Sequence, residues 1–293
     1  MKETAQELEY LQIEKPCNKM GNIIPEEIHK KYFTIKKKDL NFCTVNLDKK
    51  NLNQIEIILK ECEKIERENW HPQEDFNEYI LKSDTLFYVE KDGKIIGFLL
   101  ATLWFLDNLC VFSLDEGMVQ ERFQGSGISK KLTTLAMRYF WVKHSKRMKD
   151  IKKGVFLSAT CNPNVIKSFY NHLFIFRFVD NCFFPSKDLL KVHDRYLEKN
   201  DLSLVDGDYP FFVENLFPGS IKKKHKIEFS KKILKYIPPG FNCLNRGDSL
   251  LFMALGRRVH GWPVLLFLML LFFGKEIWLN KKIGLFRQIK EEL

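Results

Sequence analysis

The feature that most constrains this chain is the stretch from Val119 to Ser129, Val-Gln-Glu-Arg-Phe-Gln-Gly-Ser-Gly-Ile-Ser. An apolar run from Cys110 to Leu114, ending in Asp115-Glu116-Gly117-Met118, leads into it, and a long helical pattern follows from Ser129. Strand, glycine-bearing turn and helix together aim several backbone N–H groups and a helix N-terminus at one point. Such a point suits a phosphate, because the first four N–H groups of a helix lack partners in the helix and its dipole favours an anion. Gly125 and Gly127 would let the backbone approach a ligand with no Cβ in the way. The spacing is not that of a Walker loop, since no Gly-Lys-Ser/Thr follows, nor the six-residue dinucleotide pattern.

Composition sets broad limits. At 293 residues the chain suits one or two domains with a sizeable core. A hydrophobic fraction of 45% and 26 phenylalanines argue against disorder as the dominant state. The net charge of +10 suits an anionic cofactor, a nucleic acid or an acidic membrane surface without choosing among them. The 7 cysteines are scattered with no Cys-x-x-Cys pair, and Cys43, Cys110 and Cys161 sit in apolar, strand-like runs. That usage points to a reducing, cytoplasmic compartment rather than a disulfide scaffold. The histidines show no ligand spacing with the cysteines, so no metal site is expected, and the N-terminus lacks the apolar core of a signal peptide.

Taken in order, residues 1–38 read as a polar extension, partly ordered at best. Phe42 to Leu47 alternates as a half-buried strand, and a helix is expected from Asp48, with Leu52, Ile55, Ile57, Ile58 and Cys62 at helical intervals. His71-Pro72 is read as opening a second, short helix, with proline near its first turn. Thr85 to Glu90 and Ile95 to Ala101 flank Asp92-Gly93, the clearest hairpin in the chain. After the glycine loop, Ile128, Leu132, Leu135, Tyr139 and Val142 form one helical stripe ending in basic residues. Gly154 to Cys161 is a strand, Asn162-Pro163 caps a helix through Val165, Ile166, Phe169 and Leu173, and Phe174 to Val179 is a strand again. Residues 181–247 read as an irregular, proline-bearing insertion, and 249–255 as the last core strand, expected to pair with the sheet.

Gln124-Gly125-Ser126-Gly127-Ile128-Ser129, with Val119 five residues ahead, resembles motif A of the GNAT superfamily of N-acetyltransferases, Gln/Arg-x-x-Gly-x-Gly/Ala. Ser129 departs from the pattern; it is small, and serine is a good helix N-cap. The resemblance, over residues 40–180, implies an α/β (α+β) fold: a GNAT-like mixed, largely antiparallel sheet flanked by helices. It implies one acyltransferase domain over 39–256, with acetyl-coenzyme A as cosubstrate. Met118, Val119, Gln124, Gly125, Ser126, Gly127, Ile128, Ser129 and Asn162 are then the cofactor-binding candidates, the loop amides taking the pyrophosphate. The partner implied is an amine, on a small molecule or a protein, and no nucleic acid is expected.

The acid and base are less well marked. The family often places a tyrosine in the pattern Asn-x-x-Ala-Ile-x-Leu-Tyr. Counting from Asn162 puts Phe169 at that position, and a one-residue shift makes Tyr170 the acid. A glutamate that some members carry five residues before the asparagine is Leu157 here. The base would then be Glu116 or Asp115 at the strand end; Gly117 could mark a bulge, so alternation does not decide which carboxylate faces the cleft. Two classes stay open: an acetyl-coenzyme A-dependent N-acetyltransferase, and a non-catalytic protein of the same fold that binds coenzyme A or a partner.

The segment 257–293 stands apart. Val264 to Phe273 is an unbroken apolar run, flanked by Arg257, Arg258, Lys281 and Lys282 and by Trp262 and Trp278. It is shorter than the roughly 20 residues a spanning helix needs. Its basic and aromatic flanks favour membrane association through 259–279, as an apolar helix or hairpin. A buried or partner-docking helix is the alternative.

Overall fold

The computed structural model describes residues 33–47 except 38, 52–72, 76–148, 151, 153–160, 162, 165, 187–200, 202, 212–213, 219–221, 240 and 249–257. Among these, eight strands form one sheet: β1 (Phe33–Lys37), β2 (Leu40–Asn46), β4 (Thr85–Lys91), β5 (Lys94–Leu106), β6 (Leu109–Val119), β7 (Lys153–Thr160), β10 (Ser249–Arg257) and β8 (Phe212–Val213), in that spatial order. Every neighbouring pair is antiparallel except β6 and β7, which run parallel. Parallel neighbours need a crossover; here it contains α3 (Ile128–Lys143) and the short α4 (Ser145–Met148). β3 (Trp70–Pro72) and β9 (Gly219–Ile221) make a separate two-stranded ribbon. The remaining helices are α1 (Glu56–Asn69), entered through a 3-10 turn at Leu52–Ile55, α2 (Phe76–Lys82) and α5 (Lys187–Lys199).

The sheet is covered on both faces. On one, Phe87, Leu99, Cys110, Phe112 and Phe156 meet Leu132, Ala136 and Phe140 of α3. Phe140 has no exposed surface, and its ring lies edge-on at 5.9 Å from both Phe87 and Phe112. The opposite face carries two clusters. In the first, Cys43, Leu86, Tyr88, Phe98 and Leu100 pack against Ile58, Cys62 and Ile65 of α1 and Phe76 and Ile80 of α2. In the second, Val111, Val155, Leu157, Leu251 and Met253 pack under Val192 of α5.

The last expected strand is in place: β10 pairs along the length of β7, from Leu250↔Thr160 to Arg257↔Lys153. Four expectations are corrected. Residues 33–37 are not extension but an edge strand paired with β2. The helix expected from Asp48 becomes regular only at Glu56, and Ile57 is 46% exposed rather than inward-facing. His71 and Pro72 lie in β3, and α2 starts at Phe76. Proline is tolerated there because a two-stranded ribbon has edges that need no donor. The segment 181–247 is also not wholly irregular, since it supplies α5, β8 and β9. Tyr170, the expected strand at 174–179 and the apolar segment 259–279 lie outside the described residues. Among the described residues no helix is long and apolar enough to cross a membrane.

Replacing Phe140 by alanine should lower stability by about 3–5 kcal/mol, through lost burial and the cavity left between two packed rings. Arg138→Ala, on the exposed side of the same helix, should stay within about 0.5 kcal/mol of the parent. Urea denaturation followed by circular dichroism measures both.

Candidate functional site

The site begins where β6 and β7 part. Their parallel register runs from Leu109↔Lys153 to Leu114↔Ser158 and stops, although β6 continues to Val119 and β7 to Thr160. Beyond that point β7 follows β10, through Leu251↔Ala159 and Leu250↔Thr160. β6 stays with β5, but with a slip: Ala101 faces Leu114 and Leu100 faces Glu116, so Asp115 is an extra residue with no partner. An inserted residue of this kind bends its strand and ends pairing on the far side. Among the described residues no strand pairs with the β7-facing edge of β6 from Asp115 to Val119. Such an edge presents backbone donors and acceptors, and an extended ligand with amide groups can pair with it as an added strand would.

The glycine loop closes one end of this gap. The Gln120 N–H donates to Ile96 O (2.9 Å), fixing the loop to β5, and a 3-10 turn follows at Glu121–Phe123. The Gln124 side chain donates to Asn69 Oδ1 at 2.7 Å and to Val119 O at 3.3 Å, tying the loop to the end of α1. Gly125 and Gly127 have φ of 77° and 78°, the left-handed region where a side chain is strained. A Cβ built on either would meet nothing within 4 Å, so the space beside the loop is open. Gly97 does the reverse: a Cβ there would lie 3.2 Å from Met118 O and from Val119 Cγ2, so its absence lets the loop root sit on β5.

Val119 and Ile128 bury their side chains on the α3 side, which leaves their backbone for any ligand in the gap. The first intrahelical bond near the start of α3 runs from Lys131 N–H to Gly127 O (3.1 Å). The N–H groups before it point out of the helix end. The first turn of α3 holds no acidic residue and two lysines, Lys130 and Lys131. That arrangement opposes the helix dipole unless an anion lies nearby.

The bulge has a second effect. Because Asp115 is the extra residue, Asp115 and Glu116 both fall on the α1–α2–α5 face instead of alternating. They lie in a polar seam between that face's two apolar clusters, with Thr102 and Ser113 (each 2% exposed) and Ser83 (6%). Three hydroxyls donate to the Asp115 carboxylate: Thr102 Oγ1 at 2.5 Å and Ser83 Oγ at 3.0 Å to Oδ2, and Ser113 Oγ at 2.7 Å to Oδ1. Burial raises the Asp115 pKa, and these hydroxyls together with the Lys199 charge pull it back down. Glu116 Oε1 accepts the Gly117 N–H at 3.1 Å.

Burial pushes Glu116 from its ordinary 4.5 up to about 7, opposed by the Gly117 N–H and reinforced by the Asp115 charge. By surface area Glu116 is only partly buried, so its carboxyl is enclosed by protein while the residue keeps an accessible side. From α5, Tyr196 feels the charge of both carboxylates: burial raises its phenol pKa, and Asp115 and Glu116 raise it further. Lys199 closes the seam by donating to Lys82 O (3.3 Å) at the end of α2.

Of the residues singled out from sequence, the structure gathers Glu116, Met118, Val119 and Gln124 to Ser129 around one gap. Asn162 is exposed just past the end of β7, its N–H donating to Thr160 Oγ1 (3.1 Å). Tyr170 is not among the described residues. Sequence reasoning missed Ser83, Thr102, Ser113, Tyr196 and Lys199. The spacing of Leu189, Val192, Tyr196 and Leu197 could have revealed α5, had the proline-bearing segment around it not been read as irregular.

No protein-family model and no curated protein matches the sequence. Among solved structures, the ribosomal-protein-S5-alanine acetyltransferase of Vibrio fischeri overlaps 78% of this chain and 99% of its own at 10% identity (TM-score 0.35). The ribosomal-protein-S18-alanine N-acetyltransferase of Escherichia coli overlaps 74% and 96% at 8% identity (TM-score 0.33). The aminoglycoside N-acetyltransferase AAC(6')-Iy in complex with coenzyme A overlaps 37% and 73% at 17% identity (TM-score 0.27). The identities and TM-scores are low, and the fold is defined by its own strand order and parted strands. The chain has an α/β fold: a mixed, largely antiparallel sheet flanked by helices.

Glu116 gives a pH signature. A carboxyl whose pKa rises on folding holds its proton longer in the folded state, so it lowers stability as pH climbs from about 4.5 to about 7. Glu116→Gln, which keeps the acceptor for Gly117 N–H, should therefore match the parent near pH 4. At pH 8 it should exceed the parent by on the order of 1–2 kcal/mol, discounted for partial exposure. Thermal melts across that range measure the difference.

Proposed function

We propose that the chain is an acetyl-coenzyme A-dependent N-acetyltransferase acting on an amine-bearing small molecule or protein. The observation that carries this reading is the parting of β6 from β7 above an open, left-handed glycine loop. A pantetheine arm is an extended chain with two amides, which suits an unpaired strand edge. A diphosphate suits loop amides and a helix end whose first turn is basic. The residues present fit the donor: Gly125 and Gly127 leave room for it, and the backbone from Met118 to Ser129 lies along its path.

The donor supplies an activated acyl group as a thioester, and the chain's residues hold, orient and exchange protons. Amide groups on the free edge of β6 would bind the thioester carbonyl oxygen, where negative charge develops. Glu116, titrating close to neutrality, is suited to take a proton from the acceptor's ammonium so that the free amine can attack. The departing thiolate needs a proton. Tyr170 is the candidate from the resemblance, and Tyr196, a phenol beside Glu116, is the candidate from the fold. Membrane association through 259–279 rests on its apolar sequence, and a cytoplasmic location on the cysteine usage.

The second reading, a fold that binds coenzyme A without turnover, draws on Leu157 and Phe169 standing where the family has chemistry-bearing residues. Acetyl-coenzyme A at about 100 times its Kd should add about 2.7 kcal/mol to the stability of the parent. Gly127→Val should remove that gain, since it strains the loop and fills the open space. Differential scanning fluorimetry reads this, and thiol release on addition of an amine panel separates turnover from binding. An unshifted parent would overturn both readings.

A further inference from the structure

Asp115 is partly buried and held by more hydrogen bonds than a surface turn requires. Its three donors come from three places: Ser83 from the turn after α2, Thr102 from β5 and Ser113 from β6 itself. All three hydroxyls are buried, and the Ser83 N–H is itself fixed to Ile80 O (3.2 Å). Three donors converging on two oxygens match an ionised carboxylate, which only accepts. The contacts span the bulge: Thr102 sits opposite Ser113, one pair from where the register slips.

We propose that Asp115 is a positioning residue for Glu116: the hydroxyls of Ser83, Thr102 and Ser113 lock its carboxylate, and the locked bulge turns Glu116 onto the seam beside a fixed negative charge. The inference deepens the transferase reading and rests on it for what Glu116 does, but not for where Glu116 points. Among the described residues, the other titratable or charged groups that act on this pair are Tyr196 and Lys199, both from α5. Tyr196 is neutral through the physiological range, and Lys199 acts on Asp115, so Asp115 is the charge that bears on Glu116.

The test is a carboxyl-carbon NMR titration of the full chain, without acetyl-coenzyme A, comparing the parent with Asp115→Asn. The variant keeps size and polarity but removes the charge, so the Glu116 midpoint should fall by roughly half a pH unit or more. An unchanged midpoint in a variant with the parent's circular dichroism overturns the proposal. Should Asp115→Asn fail to fold, Ser113→Ala keeps the charge and removes one donor, and the lower of the two coupled titration steps should then move up. Steps identical to the parent's overturn the proposal as well. The thermal shift with acetyl-coenzyme A, measured on the same samples, reports on the transferase reading separately. A parent that shows no shift but a moved Glu116 midpoint in Asp115→Asn sinks that reading and leaves the positioning role standing.

Discussion

The slip in pairing between β5 and β6 is the constraint on which the site depends. One extra residue, Asp115, ends the contact between β6 and β7 and places two successive carboxylates on one face. A regular strand would have kept β7 alongside to its end, which that register brings opposite Glu116, and would have sent Asp115 and Glu116 to opposite sides. The bulge is held by packing on the α3 side, where Leu114 reaches the main core. On the other side it is held by three buried hydroxyls.

Two kinds of surface follow from that geometry, and they adjoin at the bulge. The gap and the glycine loop offer backbone groups, a kind of surface that suits amides and phosphates with little dependence on side-chain identity. The seam offers side chains: a near-neutral glutamate, a locked aspartate, a phenol and a lysine. In the proposed transferase, an acyl donor in the gap and an amine over the seam would meet at Glu116. The closing of the seam by Lys199 and Lys82 brings the ends of α5 and α2 together. The inserted segment thereby becomes part of the wall around the carboxylates.

The sequence made much of the scaffold legible because its signals were local. Asp92-Gly93 marked the β4–β5 hairpin, and both residues do adopt positive φ. Gly125 and Gly127 marked the loop for the same physical reason. The pairing of 249–257 with the sheet followed from an apolar, strand-like run after a long gap. What escaped was non-local. The ribbon between His71 and Ser220 joins residues far apart in sequence, so Pro72 looked like a helix start. The register slip is visible only against β5, so Asp115 and Glu116 stayed interchangeable. Ser83 reaches Asp115, and Tyr196 feels the carboxylate charges, only through tertiary packing, which no spacing along the chain encodes.

In the proposed transferase, the free edge of β6 and the loop amides together hold one extended, diphosphate-bearing thioester. Amide hydrogen exchange with and without acetyl-coenzyme A tests it most directly. Exchange should slow in two segments, 116–119 and 125–130, with the hairpin at Asp92-Gly93 unaffected. Binding that leaves both segments unchanged, or protects residues elsewhere, would contradict it.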